Sequence, residues 1–150
     1  MFLLRIWRVG LLILLFLAVS FLIARWLTAE NRERAAVVSL LHLQKEGDSA
    51  GMLRMLPGCG QQPKCRAAVV ADVRRLQGAG TLTVLRYDSG TSYSFAGASG
   101  QTRVAWDRGG ATPAVVQCVS VERRGLAIFG GSIILHTISL PIGGESTCPG

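Results

Sequence analysis

Acidic residues are scarce and late in this chain: nine Asp and Glu stand against sixteen Lys and Arg, and none precedes Glu30. Histidines number two, His42 and His136, and both lie far in sequence from the cysteines. Cys59 and Cys65 are spaced wrongly for a zinc pair, so no metal motif forms. No Cys-X-X-Cys occurs, which removes thioredoxin-like exchange. Gly109-Gly110 and Gly130-Gly131 lack the Lys and the strand–helix setting of a phosphate loop, and no elbow motif marks a serine nucleophile. No cofactor motif, internal repeat or low-complexity linker is found. The formal charge of +7 falls to +4 from Glu30 onward, spread without a basic cluster or an aromatic-interleaved patch. Nucleic-acid binding is therefore not indicated. Anionic lipid headgroups are the better-matched destination for that charge.

Charge is also absent from Val9 to Ala24, an unbroken apolar run bracketed by Trp7 and Trp26. Nineteen residues of helix between the two indoles rise about 28 Å, close to the ~30 Å hydrocarbon core of a bilayer. Tryptophans prefer its interfaces, and Arg5 and Arg8 flank one end, Arg25 the other. This reads as a transmembrane helix. A cleaved secretory signal competes, with Leu27-Thr28-Ala29 as the cleavage site. The run exceeds the usual ~7–15 apolar residues of such signals, and Leu27 is larger than the small residue preferred there. A buried helix of a soluble protein is the third reading.

Arginines on the two sides tie the positive-inside count, Arg5 and Arg8 against Arg25, Arg32 and Arg34. Cysteines break the tie. All four (Cys59, Cys65, Cys118, Cys148) follow the apolar run, and an even number suits two disulfides in an oxidising compartment. Of the three connectivities, Cys59–Cys65 closes a short loop and Cys118–Cys148 pins the carboxyl terminus, and this pair is favoured. Four reduced, buried thiols in the cytosol are the alternative. Arginine supplies all but two of the basic residues, and Gly and Ala abound, which suits a GC-rich bacterial genome.

Helix continues from Glu30 to Glu46, with Ala36, Val37, Leu40, Leu41 and Leu43 on one arc of about 160° and His42, Ser39 and Glu46 opposite. Gly47 ends it, Asp48 caps a short helix through Leu56, and Pro57-Gly58 stops that one. A third helix runs from Pro63 to Gln77, its stripe Cys65, Val69, Val73 and Leu76. After Gly78-Ala79-Gly80 the period changes to two. Thr81–Tyr87, Thr91–Phe95, Thr102–Trp106, Ala114–Arg123 and Ser132–Leu140 read as strands, joined by Asp88-Ser89-Gly90, Ala96 to Gly100 and Asp107 to Pro113. Short connections predict antiparallel neighbours. The fold class is α+β, an N-terminal transmembrane helix followed by helices packed on one face of a curved antiparallel sheet.

The helix, the Leu43-Gln44-Lys45-Glu46-Gly47-Asp48 junction, a short helix with Met52, Leu53 and Leu56, and a following sheet resemble the nuclear transport factor 2-like cone fold over residues 30–142. In that family a Gly-Asp commonly links the first two helices, as Gly47-Asp48 does here. A strand often precedes its third helix, and none is found in this sequence. The resemblance implies either a scaffold subunit of an envelope assembly or a soluble isomerase or dehydratase with a His or Asp in a pocket. An apolar helix continuing into an amphipathic one, then a sheet and a carboxyl-terminal disulfide, is also similar to a type IV pilin. Gly10 would precede the processing site, although Leu15 stands where that family usually has Glu.

His136 is the candidate for chemistry, sharing a strand face with Ile134, Ile138 and Leu140, which points it into an apolar interior or pocket. Beside Asp107 or Asp88 it would serve as a general base; the plain alternative is a hydrogen-bonded structural histidine. Arg123-Arg124-Gly125, Leu126-Ala127-Ile128-Phe129 and Gly130-Gly131 form a possible contact loop, with Arg123, Arg124, Leu126, Ile128 and Phe129 exposed. Otherwise these residues extend a hairpin into the core. The sequence thus predicts a cytoplasmic segment 1–8, an anchor 9–28 and an extracytoplasmic domain 29–150 of a single-pass inner-membrane protein. Its expected role is a non-catalytic scaffold or accessory module of the bacterial envelope, in contact with the bilayer and a protein partner. A pocket enzyme or ligand binder using His136 is the alternative, and a pilin-like subunit the third.

Overall fold

A computed structural model describes residues 2–91, 97–109, 113–126 and 131–149, with backbone alone at 2–6, 26 and 29. The chain is α+β. Its first element, α1 (Phe2–Glu46), is one continuous 45-residue helix. It changes character along its length because its composition does. The described large apolar side chains between Val9 and Leu27 stand exposed, whereas Val37, Leu40 and Leu41 are fully buried. Among the described residues, one helix is long and apolar enough to cross a membrane.

Gly47 stops α1 by adopting φ +86°, a left-handed conformation that costs glycine no Cβ clash. The Asp48 and Gly47 amides then donate back to the Leu43 and Gln44 carbonyls at 2.9 and 3.3 Å, a Schellman closure. Asp48 in turn caps α2 (Ser49–Met55), its carboxylate accepting the Gly51 amide at 2.7 Å. Helix α3 (Pro63–Leu76) starts on Pro63 and buries Val69, Val73 and Leu76. The Cys59–Cys65 disulfide staples the α2–α3 connection to the first turn of α3.

Four strands follow: β1 (Thr83–Asp88), β2 (Ala98–Asp107), β3 (Val115–Arg124) and β4 (Ser132–Ile138). They pair in chain order, every neighbour antiparallel, in an open sheet. Val104, Trp106, Val119, Val121 and Leu135 meet the helices across one core with Val37, Leu40, Met52, Leu56, Val69 and Val73. The expected Thr91–Phe95 strand lies mostly outside the described residues; Thr91 itself sits in a bend. The expected loop Ala96 to Gly100 is corrected: Ala98, Ser99 and Gly100 pair with Arg123, Glu122 and Val121 as the start of β2. These small residues have weak strand preference, and pairing with β3 overrides it. A Cβ on Gly100 would stand 2.5 Å from the Gly90 carbonyl oxygen, so glycine there lets two backbones cross closely.

Strand β4 ends at Ile138, two residues earlier than its alternation predicts. Ser139 and Ile142 nonetheless bond to the Cys118 and Val116 carbonyls, so the edge continues irregularly. The tail then folds over the outer sheet face. The Cys118–Cys148 disulfide, Gln101 to the Pro149 carbonyl and Arg103 to the Gly144 carbonyl hold it there.

Candidate functional site

Two buried polar clusters join α1 to the sheet, one at each end of the domain. At the end where α1 enters, Glu33 is fully buried. Its Oε1 accepts the hydroxyls of Thr102, Ser89 and Tyr87 at 2.7, 2.8 and 2.9 Å. Its Oε2 accepts the Thr91 hydroxyl and the Arg123 Nη2 group, the latter at 3.3 Å. Burial pushes the carboxyl pKa up, but the hydroxyl bonds from Thr91, Thr102, Ser89 and Tyr87 outweigh it and hold Glu33 below its ordinary range. Glu33 is therefore an anion. The Tyr87 phenol shifts upward, through burial first and then the Glu33 charge. A carboxylate enclosed by five donors has no room for a substrate. Its work is to fasten α1 to β1, β2 and β3.

Of the two readings of the Arg123–Phe129 segment, the contact loop and the hairpin extending into the core, Arg123 follows the second: it ends the expected strand and is buried. Along β3 the side chains of Val119, Val121 and Arg123 face the helices, and Arg123 is 2% exposed against Glu33. Alternation sends Arg124 outward, where its Nε donates to Glu122 at 2.6 Å. Leu126 is 44% exposed, while Ile128 and Phe129 lie outside the described residues.

At the far end of the domain, Asp72 of α3 is buried, and its Oδ2 accepts the side-chain amides of Gln44 and Gln117, both at 2.6 Å. Gln117 also accepts the Trp106 indole at 2.9 Å and donates to the Ser139 carbonyl at 3.0 Å. Burial raises the Asp72 pKa to about 6, against the lowering pull of those amides and of Arg75. Asp72 Oδ1 and Gln44 Oε1 are buried without a hydrogen-bond partner. Two acceptors facing no donor leave this cluster short of protons, which together with burial favours the protonated form of Asp72.

His136 does not point into the interior. Ile133 and Leu135 take the inward positions of β4, and a register irregularity at Ser120/Val121 separates them from Ile138, which also packs on the core. His136 faces outward and is partly exposed, its Nε2 2.7 Å from Glu122 Oε2. Arg124 first, then His136, holds the Glu122 carboxyl below its ordinary range. Asp88 and Asp107 are not near this cluster. Asp88, on the opposite edge strand, pairs with Arg86 at 2.9 Å and Arg103 at 3.7 Å. Asp107 accepts the Gly109 amide at 2.8 Å. The proposed general-base arrangement is not assembled.

Of the expected membrane-interface residues, Trp7 and Arg8 are exposed and Arg25 lies over the Phe21 ring at 5.4 Å. The side chains of Arg5 and Trp26 lie outside the described residues. An open, mostly apolar hollow of about 530 Å³ runs along α3 beside Ala67 and Val70, between Arg66 and Arg74. A polar one of about 510 Å³ is lined by Gly97, Ser99, Glu122, Arg124 and Gly125. Among the described residues, no three His, Cys, Asp or Glu side chains gather as a metal set would.

Sequence reasoning passed over Glu33, Gln44, Asp72 and Gln117. For the two on α1 the signal was available. At ~100° per residue, Glu33 and Gln44 both fall inside the apolar arc that contains Val37 and Leu40. Asp72 likewise lies three residues after Val69 and four before Leu76, on the buried stripe of α3. A polar residue within an apolar face announces a buried hydrogen-bond cluster. Comparison with known proteins finds no match: no family model, no curated protein and no solved structure matches this chain.

Proposed function

We propose that this chain is a single-pass membrane protein whose disulfide-bonded domain lies outside the cytoplasm of a bacterial cell and acts as a non-catalytic scaffold or interaction module. One observation carries the reading: α1 is a single helix, unpacked through its apolar half and cemented by Glu33 through the other. An unpacked apolar surface of that size needs a bilayer or a partner to cover it. The two disulfides support an oxidising compartment. Both oxygens of Glu33 are consumed in fastening elements together, which suits a rigid support better than a reaction. The cone-fold resemblance, carried by Gly47-Asp48, belongs to the same proposal. Carbonate extraction with protease accessibility in spheroplasts, whose outer membrane has been opened, tests it. A chain released by carbonate, or a domain shielded from external protease until lysis, overturns it.

A pilin-like subunit is the second reading. It is favoured by the unbroken helix, the four-stranded antiparallel meander and the tail disulfide at Cys148. A mature chain beginning at Leu11 would select it.

A further inference from the structure

Two pairs of contacts give the height of each residue of β3 along α1. Gln44 and Gln117 both donate to Asp72 Oδ2 at 2.6 Å, so they lie level with each other. Glu33 and Arg123 lie level at the other end, joined at 3.3 Å. From Gln44 back to Glu33 the helix rises about 16 Å at 1.5 Å per residue, and from Gln117 to Arg123 the strand covers about 20 Å at 3.3 Å per residue. The two distances agree closely enough that β3 runs alongside α1, in the opposite sense, toward the apolar half of the helix.

The same steps extend beyond the Glu33 cluster. Trp26 lies seven helical residues above Glu33, about 10 Å, and Leu126 lies three residues beyond Arg123, again up to about 10 Å. Leu126 thus approaches the level of Trp26, the tryptophan that the anchored reading sets at the bilayer interface. Helix α1 crosses this gap without a break, and Glu33 is held by β1, β2 and β3 residues together, so the domain cannot swivel away. The turn itself is narrow at its neck. Gly125 takes φ +85°, and a Cβ on Gly131 would stand 2.3 Å from the Arg124 carbonyl oxygen. Leu126 and Arg124 are respectively 44% exposed as a residue and 62% exposed as a side chain.

We propose that Leu126 and Arg124, at the β3–β4 turn, rest on the leaflet from which α1 emerges. They give the domain a second lipid contact beside its anchor. A leucine enters the acyl boundary while the neighbouring Arg124, ion-paired with Glu122 at 2.6 Å in the free domain, exchanges that carboxylate for lipid phosphates. Arg25, Arg32 and Arg34 on α1 add positive charge near the same plane. The inference rests on the anchored reading of α1. It goes beyond that reading by setting which end of the domain faces the lipid: the Asp88 end of β1 and the Arg124 end of β3 toward it, α2 and the end of α3 away.

The test uses the full chain in phosphatidylcholine–phosphatidylglycerol vesicles. Leu14→Cys, Leu126→Cys and His42→Cys each carry an environment-sensitive fluorophore, and mass spectrometry checks that both native disulfides remain. Doxyl-labelled lipids are the quenchers. We expect quenching and a blue shift at position 126 from shallow doxyl groups, quenching at 14 from deep ones, and neither at the exposed 42. A probe at 126 as wet as that at 42, with 14 still quenched, overturns this inference and leaves the anchor standing. Loss of quenching at 14 overturns the anchor, and this inference with it. A probe at 126 that stays wet in pure lipid but is shielded in native membranes assigns the turn to a protein neighbour and also overturns it.

Discussion

The Glu33 carboxylate and the Arg123 guanidinium, ninety residues apart in sequence, form an ion pair at 3.3 Å with both side chains almost wholly removed from water. Coulomb attraction alone does not repay the dehydration of two charges. Here the remaining lone pairs of Glu33 are taken by four hydroxyl groups, which lower the cost of its burial. The pair therefore acts as a registration point. It specifies which part of β3 meets which turn of α1, and so where the sheet sits relative to the apolar half of the helix.

Removing one partner should be unequal in its effect. Glu33→Gln abolishes the negative charge and leaves Arg123 cationic in the interior, at a cost of about 3–5 kcal/mol. Arg123→Met should cost less, because Glu33 keeps its hydroxyl donors and methionine fills much of the space. Urea denaturation of the detergent-solubilised chain, followed by circular dichroism, provides the comparison. Equal losses, or a smaller loss at Glu33, would show that the hydroxyl shell does not stabilise the carboxylate.

Asp72 gives the domain an opposite pH response. Its folded pKa is about 6 against an ordinary value of 3.8, so the folded chain binds the proton more tightly than the unfolded one. The stabilisation from that proton is complete below pH 3.8 and is lost as pH rises through 6. From this group alone, the domain should be less stable at pH 7.5 than at pH 5. Asp72→Asn removes the charge and turns the unpartnered Oδ1 into a donor while leaving an acceptor for the Gln44 and Gln117 amides. It should stabilise the chain at pH 7.5 by up to about 3 kcal/mol, and by less at pH 5. Melting curves of both chains at the two pH values decide it. An unchanged or lower melting temperature for the variant at pH 7.5 would remove the argument.

The elements that local chemistry dictates were legible in the sequence. Gly47 and Asp48 stop one helix and cap the next, Pro63 opens α3, and the hydrophobic period changes after Gly80, all from neighbouring residues alone. Chain order also gave the antiparallel neighbours, because the connections are short. Face assignment failed at β4, where Ser132–Ile138 carries aliphatic residues on both sides. A strand without alternation does not declare which side is inward, so His136 was placed in the interior. Arg123 failed for a different reason. A charged residue beside Arg124 and Gly125 reads as solvent-facing until its partner is known, and that partner lies on a helix ninety residues away.

The two disulfides should differ in what they contribute. Cys59–Cys65 spans six positions and Cys118–Cys148 spans thirty. By loop-closure entropy the first stabilises by about 2 kcal/mol and the second by about 4. The longer bridge also holds the tail over the outer sheet face, so Cys118→Ala with Cys148→Ala should release the Arg103 and Gln101 contacts. Hydrogen exchange at the Gln101 to Cys118 backbone should rise in that variant and stay near its original rate when Cys59 and Cys65 are both Ala. A larger effect from the short loop would mean that strain or residual structure, rather than chain entropy, governs these bridges.

The apolar half of α1 should matter to the domain itself, apart from any membrane. Cleavage after Ala29 would make Glu30 the first residue and place Glu33 within the opening turn of the shortened helix. Helix ends fray, and the first four amides of a helix have no intrahelical acceptor. Glu33 would then depend on its own turn being held by side chains that it is meant to hold. We expect intact-mass measurement of the native protein to show a chain that begins at or next to Met1. We also expect a protease site engineered between Thr28 and Ala29 to lower the melting temperature of the detergent-solubilised protein once cut, with faster amide exchange around Thr102 and Arg123. A native chain that begins at Glu30, or a cut protein whose melting is unchanged, would show that the apolar half of α1 is a removable signal and that the Glu33 cluster closes without it.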